Sequence, residues 1–327
     1  MAKILVTGGA GYIGSITTHH LLQRGFEVIV VDDLSRGHRE NVAPERLHVH
    51  RLQDTAAVAQ LLKGVDAVVH FAAYIAVGES TREPALYYSN NLGGTLSLLE
   101  AMAQAGVNRL VFSSTAAVYG DPVKVPIPED SRIAPVSPYG ESKAMVEKIL
   151  GELDRYRGLK SVALRYFNAC GALPEAGLGE AHEPETHLIP LLFHAAETGE
   201  PVSIFGDDYP TSDGTCVRDY VHVSDLAAAH VSALDHLLSG GVSHAFNVGT
   251  GTGATVMEVM RAVETITGKH VPFKIAPRRD GDPTELVADS TCLQQTFGWK
   301  PTRSSLEEIV KDAWTYYLQV KQATVKT

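Results

Sequence analysis

The sequence predicts an α/β protein, with a Rossmann-type, doubly wound parallel sheet and a smaller mixed α/β substrate domain. Three observations predict this class. An apolar strand runs directly into a glycine-rich turn, strand-like and helical patterns alternate as far as residue 167, and glycine and proline become frequent after residue 168. Strands that alternate with helices form a parallel sheet covered on both faces, and ligands bind at the carboxyl ends of its strands.

The glycine-rich turn predicts a dinucleotide site. Residues 3–7 form a strand, and Gly8, Gly11 and Gly14 follow it. This spacing permits a tight turn, close backbone approach to a pyrophosphate and close packing of the next helix. That helix extends to about Arg24 and presents its N-terminal amides to the phosphates.

An acidic residue ends the second strand, which spans residues 27–31 and is followed by Asp32. An acid at this place meets the hydroxyls of the adenosine ribose and favours NAD over NADP. Arg36 and Arg39 follow closely and would suit a 2′-phosphate instead.

The alternation of strands and helices continues along the chain. Further strands are predicted at 46–50, 65–71, 109–114 and 161–167, with helices near 55–63, 84–104 and 140–156. Three groups of residues follow strand ends and should face one crevice: 71–73, 113–115 and 166–168.

A tyrosine and a lysine, Tyr139 and Lys143, lie four residues apart and share one face of the helix predicted near 140–156. Lowering a tyrosine pKa from ~10 to ~7 requires about 4 kcal/mol. One ammonium about 6 Å away supplies about 2.8 kcal/mol at an effective dielectric of about 20. A second positive charge is therefore needed, and an oxidised nicotinamide would supply it. Thr115, at a strand end, could bond the same substrate oxygen as Tyr139.

The second half has a different texture. Residues 169–223 read as loops and short strands with one helix near 187–198, and Ser224 is the predicted N-cap of a helix over 224–239. A strand at 245–248 is expected to return to the parallel sheet, and helices follow at 255–267 and 304–320. We therefore predict two domains: residues 1–168, rejoined by about 224–248, bind the dinucleotide, and residues 169–223 with 249–327 bind the substrate.

Arginines stand in the loops of this second half. Arg218, Arg278 and Arg279 could hold a diphosphate through bidentate contacts; the alternative, equally compatible with the spacing, is solvated surface arginines paired with Asp219 or Asp280.

Composition excludes several classes. The formal net charge of -10 argues against a nucleic-acid partner, and no signal peptide or membrane span is visible, so a cytoplasmic protein without a membrane partner is expected. Cys170, Cys216 and Cys292 have spacings that indicate neither a disulfide framework nor a metal site.

Taken together, the motifs resemble the UDP-glucose 4-epimerases, a family of extended short-chain dehydrogenases/reductases. They are GGAGYIG at 8–14, SST at 113–115, PYGESK at 138–143, RYFN at 165–168 and the run from FGDDYP at 205 to RDY at 218–220. The resemblance implies an isomerase of galactose metabolism that works as a homodimer, pairing through the helices near 84–104 and 140–156. Its reaction would be C4 epimerisation of a UDP-hexose, UDP-galactose to UDP-glucose, through a 4-keto sugar and tightly held NAD.

The resemblance also implies roles for individual residues. The catalytic residues would be Tyr139 as base, Lys143 and Thr115. These three also touch the cofactor, together with Gly8, Gly11, Tyr12, Ile13, Gly14, Asp32, Leu52, Phe71, Ala72, Ala73, Asn90 and Phe167. The UDP-sugar would be bound by Asn168, His187, Leu188, Ser203, Ile204, Phe205, Arg218, Arg279, Asp282 and Leu286.

Several positions depart from the family pattern. Arg51 stands where an Asp usually meets adenine, Ile75 where a cofactor-binding Lys often occurs, and His187 replaces a common Asn. Thr115 replaces the frequent Ser but keeps the hydroxyl donor and acceptor. Leu286 is intermediate between a bulky Tyr that narrows the sugar pocket and a small residue that admits N-acetyl groups, so N-acetylhexosamines stay open as substrates.

Other functions are weighed against this one. UDP-pentose and UDP-uronate 4-epimerases share every motif. A nucleotide-sugar 4,6-dehydratase needs an Asp-Glu pair directly after the strand-end hydroxyl, where this chain has Ala116 and Ala117. A non-catalytic dinucleotide sensor should lack the Tyr–Lys pair or the UDP arginines, and this chain has both.

Overall fold

The first half of the chain alternates strands and helices as predicted. We describe it from a computed structural model that covers residues 1–279 and 281–325. In chain order the elements are β1 (Lys3–Thr7), α1 (Tyr12–Gln23), β2 (Glu27–Asp32), β3 (Leu47–Val49), α2 (Thr55–Leu61), β4 (Ala67–His70), α3 (Val77–Arg82), α4 (Pro84–Tyr87), α5 (Gly94–Ala105), β5 (Arg109–Ser113), α6 (Pro138–Arg157) and β6 (Lys160–Tyr166).

The second half has shorter strands. Its elements are β7 (Asn168–Cys170), α7 (Leu188–Thr198), β8 (Val202–Phe205), β9 (Val217–His222), α8 (Val223–Leu238), β10 (His244–Val248), β11 (Gly253–Thr255), α9 (Val256–Thr267), β12 (Phe273–Ala276), β13 (Glu285–Leu286), α10 (Thr291–Phe297) and α11 (Leu306–Val325).

Seven parallel strands form the large sheet, in the order β10-β6-β5-β4-β1-β2-β3. Strand β10 pairs with β6, with Ala245 opposite Ala163, so the predicted return of the chain to this sheet is confirmed. One apolar core lies between the sheet and helices α1 and α8, and a second lies between the sheet and helices α2, α5 and α6. The predicted α/β class with a doubly wound parallel sheet is therefore confirmed.

The second half builds its own small sheets. Strand β9 pairs with β7, β11 and β13, while β8 pairs with β12, and a third apolar core joins helices α7, α9 and α11. Tyr220 of β9 and Cys170 of β7 belong to this core. The division into two domains at residue 168 remains our prediction.

A π-helical turn, Tyr88–Gly93, interrupts the helix predicted over 84–104. It lies between α4 and α5 and turns Asn91 inward. The Asn91 amide accepts a hydrogen bond from the Tyr74 backbone N–H (2.8 Å) and donates to the Tyr74 carbonyl (3.0 Å) and to Ser142 Oγ (3.3 Å). This wide turn therefore holds the loop after β4 against α6.

The predicted N-cap of α8 was wrong. The cap is His222, whose Nδ1 accepts a hydrogen bond from the Ser224 backbone N–H (3.0 Å), because the helix begins one residue before Ser224. The neighbouring Asp225 is buried and accepts hydrogen bonds from Thr302 and Ser304, so the start of α8 anchors the segment before α11.

No helix within the described residues is long and apolar enough to cross a membrane. Cys170, Cys216 and Cys292 are free cysteines.

Candidate active site

The glycine-rich turn leaves a helix end open to a ligand. Gly8 has φ of +68°, and a Cβ on Gly14 would lie 2.1 Å from the Gly8 carbonyl oxygen, so the turn closes only with glycine at both positions. Helix α1 has Gly11 as its N-cap and no side-chain cap, so the first-turn amides at Tyr12 and Ile13 are left as free donors for an anion. These features fit a pyrophosphate.

Asp32 lies beside this turn and is almost fully buried. Its Oδ2 accepts a hydrogen bond from the Ala10 N–H and its Oδ1 accepts one from the Leu34 N–H, both at 2.9 Å. Burial raises the pKa of Asp32 and the two backbone donors lower it. Two ionised oxygens can accept about four hydrogen bonds, so each retains capacity for a ribose hydroxyl.

The two arginines that would suit a 2′-phosphate are on the surface. Arg36 pairs with Glu79 at 3.0 Å and lies over the Tyr74 ring, and Arg39 is exposed. Because Arg36 is already paired with Glu79, this arrangement favours NAD over NADP, whose 2′-phosphate would need a free arginine.

The loop after β4 continues the cofactor side. Residues 71–73 are half-buried, and the Ala72 N–H donates to Thr7 Oγ1 at 3.4 Å. The Asn90 side-chain amide donates a hydrogen bond to Oδ1 of the inward-turned Asn91 at 3.0 Å. Leu52 is buried in the core beneath α5, whereas Arg51 and Ile75 are exposed.

Helix α6 begins against the strand-end loop that carries Thr115. Ser137 caps the helix by accepting a hydrogen bond from the Gly140 N–H (3.2 Å), and Pro138 occupies the first turn. A Cβ on Gly140 would lie 2.6 Å from the Ala117 carbonyl oxygen, so glycine permits the close approach of the two segments. This approach places Tyr139 beside Thr115.

Tyr139 and Lys143 are both buried. Burial raises the pKa of Tyr139 above its ordinary value, the Tyr166 phenol adds to the rise, and a hydrogen bond with Thr115 lowers it. Burial lowers the pKa of Lys143 to about 7, and the Glu147 carboxylate opposes that fall. Both shifts disfavour the charged forms, so the protein alone does not make Tyr139 a base at neutral pH, and a cation beside it would favour the phenolate.

The side chains of Lys143 and Thr115 are held by backbone groups. Lys143 Nζ donates to the Ser113 carbonyl at 2.8 Å and lies 4.9 Å from the centre of the Phe112 ring. Thr115 Oγ1 accepts a hydrogen bond from the Ala117 N–H at 3.1 Å, and its hydroxyl also hydrogen-bonds to Tyr139. The next two residues, Ala116 and Ala117, add only methyl groups.

Buried Arg218 pairs with half-buried Asp282, with Nη2 to Oδ1 at 2.5 Å. Arg279 stacks on Phe205, with its guanidinium carbon 3.9 Å from the ring centre. By contrast, Arg278 is bound to Asp208 and lies over Tyr209. Arg218 and Arg278 therefore each have a carboxylate partner, whereas Arg279 lies on an aromatic ring, and the role of Arg218 and Arg279 at a diphosphate remains our prediction.

The alternative prediction is that these arginines pair with Asp219 or Asp280. Asp219 has other partners. Its carboxylate accepts hydrogen bonds from Thr250, Gly251 and Ala288. Asp280 lies outside the described residues.

His187 and the loop before it form an ionic cluster. Its Nδ1 lies on Glu180 Oε1 and 3.6 Å from Glu185 Oε1, and His182 Nδ1 lies 3.1 Å from the same Glu180 oxygen. The ligand atoms of these four residues lie within 4.8 Å of one another, so within the described residues this is a group of side chains that could hold a metal ion. Burial raises the pKa of Glu180, but His187 and His182 lower it by more, so that the pKa falls to about 2.

The remaining predicted substrate residues lie on three elements of the second half, β7, α7 and β8. Ser203, Ile204 and Phe205 belong to β8, but the Ile204 side chain is buried in the core, so only its backbone can face a base. Leu188 begins α7 and is half-buried, and Asn168 begins β7 with its side chain exposed.

Leu286 belongs to the apolar cluster that includes Phe167 and Ala116. It also lies opposite Arg218 in the pairing of β13 with β9. Leu286 thus stands between the strand end that carries Thr115 and the arginine side of the site.

Sequence reasoning missed some supporting residues. His70 bridges Thr7 Oγ1 (2.6 Å) and Thr95 Oγ1 (2.8 Å), and burial, with the Lys143 charge, lowers its pKa to about 3. Glu147 pairs with Arg165 behind Lys143. A signal for Glu147 was present, because it follows Lys143 by four residues on the same helical face.

The fold and the site define a class: a Rossmann-type enzyme in which a buried Tyr–Lys pair faces a dinucleotide cleft. The chain belongs to the NAD-dependent epimerase/dehydratase family, whose model matches residues 4–249. It is 47% identical over 319 residues to a UDP-glucose 4-epimerase of Lactobacillus helveticus, covering 96% of this chain and 97% of that protein. The family resemblance predicted from the motifs is confirmed.

Solved structures agree. A UDP-glucose 4-epimerase from Brucella ovis, in complex with NAD, superposes with a TM-score of 0.94 at 42% identity, covering 97% of this chain and 98% of that one. A UDP-glucose 4-epimerase from Stenotrophomonas maltophila, with bound NAD and formylated UDP-arabinopyranose, gives a TM-score of 0.95 at 40% identity, covering 99% and 100%.

Proposed function

We propose that this chain is an NAD-dependent isomerase that interconverts UDP-galactose and UDP-glucose by epimerisation at C4. The observation that carries the proposal is the buried Tyr139–Lys143 pair beside Thr115, with methyl groups alone at the next two positions. The UDP-glucose 4-epimerases of Lactobacillus helveticus and Brucella ovis match this chain over nearly their whole length, which supports this choice.

The chain's own residues divide the work. When bound, NAD accepts the hydride from C4 of the sugar and returns it. Tyr139 takes the proton of the 4-hydroxyl and later gives it back, and Thr115 donates to the same oxygen. Lys143, held on the Ser113 carbonyl, supplies positive charge next to the phenolate.

The UDP side anchors the substrate while the hexose is left to turn over. Arg218 is fixed by Asp282 and Arg279 by Phe205, so each guanidinium is oriented before the diphosphate arrives. Preorganised arginines bind phosphate oxygens at a small entropy cost.

A 4,6-dehydratase starts with the same oxidation but then must eliminate water. Elimination requires an acid and a base next to the strand-end hydroxyl, and Ala116 and Ala117 offer neither. The keto sugar is therefore expected to return to the UDP-hexose level.

The test is to incubate the purified protein with UDP-galactose and to look for UDP-glucose, first without added NAD and then with it. Tyr139→Phe should retain the cofactor and lose turnover by about 10²–10⁴-fold. Tyr156→Phe is the matched control, because Tyr156 lies on the same helix and is 66% exposed. Absence of a C4 epimer with NAD added, or full activity of Tyr139→Phe, would refute the assignment.

UDP-pentoses are a second candidate substrate class, because the related Stenotrophomonas maltophila structure holds formylated UDP-arabinopyranose. The same assay with UDP-arabinopyranose measures this directly. UDP-uronates share the motifs as well and belong in the same screen.

We also propose a cytoplasmic homodimer. Its support is the set of unpaired cysteines, typical of a reducing compartment, and the exposed apolar side chains of Leu86 on α4 and Leu96 on α5. Light scattering of the protein and of a Leu86→Lys, Leu96→Lys variant should give a dimer and a monomer, respectively.

A further inference from the structure

A third charged residue shares the catalytic face of α6. Tyr139, Lys143 and Glu147 follow one another at intervals of four residues, so they lie on successive turns of one face. The Glu147 side chain is only 12% exposed. Neither the sequence motifs nor the proposed reaction assigns it a role.

The Glu147 carboxylate joins the helix to the strand end that carries Thr115. Ser114 Oγ donates to its Oε1 at 2.5 Å, and Arg165 Nη2 donates to its Oε2 at 2.6 Å. Arg165 in turn donates to Tyr119 Oη at 2.9 Å. Ser114 directly precedes Thr115. A shift of the Glu147 side chain would therefore move the Thr115 hydroxyl away from Tyr139.

Among the described residues, Glu147 is the charged group that acts on Lys143. On β4, His70 is neutral at physiological pH because its pKa is lowered to about 3. Tyr139 on α6 and Tyr166 on β6 are neutral as well, since burial raises the pKa of both phenols. Arg165 on β6 is cationic but is already bound to Glu147.

We propose that Glu147 is a positioning residue for the reaction, which keeps Lys143 cationic when the cofactor's positive charge is present and fixes the Thr115 strand end to α6. The proposal rests on the function proposed above. The role of Glu147 follows from two opposing charges near Lys143. A bound oxidised nicotinamide would favour loss of the Lys143 proton, and the Glu147 carboxylate favours its retention.

The charge and the hydrogen bonds of Glu147 can be separated by two substitutions. Glu147→Gln keeps the length and loses the charge, whereas Glu147→Asp keeps the charge and shortens the reach. Glu152→Gln is the matched control, an exposed carboxylate on the same helix. Thermal unfolding of each holoenzyme establishes that it is folded.

The measurement is kcat and KM for UDP-galactose from about pH 6 to about pH 9. Without Glu147 the Lys143 ammonium should lose its proton about one pH unit earlier, so the ratio of wild-type to Glu147→Gln kcat should rise with pH by up to about tenfold. Glu147→Asp should lower kcat by a ratio that does not change with pH, and Glu152→Gln should match the wild type. A constant ratio for Glu147→Gln, or the same rising ratio for Glu147→Asp, would overturn the proposal.

A readout without turnover separates this proposal from the function itself. In protein labelled with [ε-¹³C]lysine and loaded with NAD, the Lys143 NMR signal is assigned by its loss in Lys143→Met. Its titration midpoint should lie lower in Glu147→Gln than in the wild type. If no UDP-glucose forms but this shift is seen, the proposed function fails and the role of Glu147 in holding the Lys143 charge stands; equal midpoints refute that role whatever the activity.

Discussion

We expect UDP to bind less tightly as the pH rises through about 9, because a single proton on His187 is lost. The Nδ1 atom of His187 is in contact with Glu180 Oε1, so the carboxylate stabilises the proton on Nδ1. Burial would lower the pKa of His187, but the Glu180 carboxylate outweighs it and raises the pKa to about 9. The proton lost at that pH is therefore the one on Nε2, and a donor becomes an acceptor.

The size of the effect follows from the exposure of the ring. A hydrogen bond to a charged group contributes about 1.5–3 kcal/mol. The His187 side chain is 45% exposed, so water screens the interaction and the lower end applies. A loss of about 1.4 kcal/mol corresponds to about tenfold weaker binding. Because the pKa is raised, the cationic ring is fully present below about pH 7 and disappears above about pH 9.

The assay is isothermal titration calorimetry of UDP binding to the NAD-loaded protein from about pH 7 to about pH 10, a range in which the UDP phosphates stay fully ionised. His187→Asn should bind UDP about tenfold more weakly at pH ~7 and show little further change. His194→Asn serves as the matched control, because His194 is exposed on α7 and pairs with Glu200. If His187→Asn shows the same pH dependence as the wild type, another group is responsible and the reasoning is refuted.

Two further predictions concern the sugar pocket and the buried carboxylate of Asp219 on β9. Leu286→Ser should raise the rate on UDP-N-acetylgalactosamine relative to UDP-galactose, because it shortens a side chain packed near Phe167 and Ala116; equal rate ratios in the two proteins would count against a gate at this position. Asp219→Asn should destabilise the fold by about 3–5 kcal/mol in urea unfolding, since its amide nitrogen would face two N–H donors, those of Gly251 and Ala288, whereas Asp207→Asn on the surface should change little; a loss below about 1 kcal/mol would contradict this estimate.

The parts of the site that local sequence determines were predictable. Gly8 and Gly14 lie in one turn, and Tyr139 and Lys143 lie on one helix, so spacing alone placed each pair. The strand ends were predictable for the same reason, because parallel strands deliver their carboxyl ends to one edge of the sheet.

The parts that depend on chain closure were not predictable. Glu180 and His187 meet because an eight-residue proline-containing loop folds back on itself, and Arg278 finds Asp208 seventy residues away. The cap of α8 was missed for a chemical reason: Ser224 is a common N-cap residue, but the imidazole of His222 supplies the acceptor.

The proposed base, Tyr139, lies in a site where burial opposes its ionised form. Burial excludes water from Tyr139 and Lys143, which strengthens any charge placed beside them, yet it also raises the pKa of the phenol and lowers that of the amine. Additional buried lysines would not stabilise the phenolate reliably, because burial lowers the pKa of an amine and favours its neutral form. A cofactor with a fixed positive charge cannot lose that charge to a proton equilibrium, so it stabilises the Tyr139 phenolate only in its oxidised state. Bound NAD would therefore favour the Tyr139 phenolate only while the cofactor is oxidised, which would couple deprotonation by the proposed base to oxidation of the substrate.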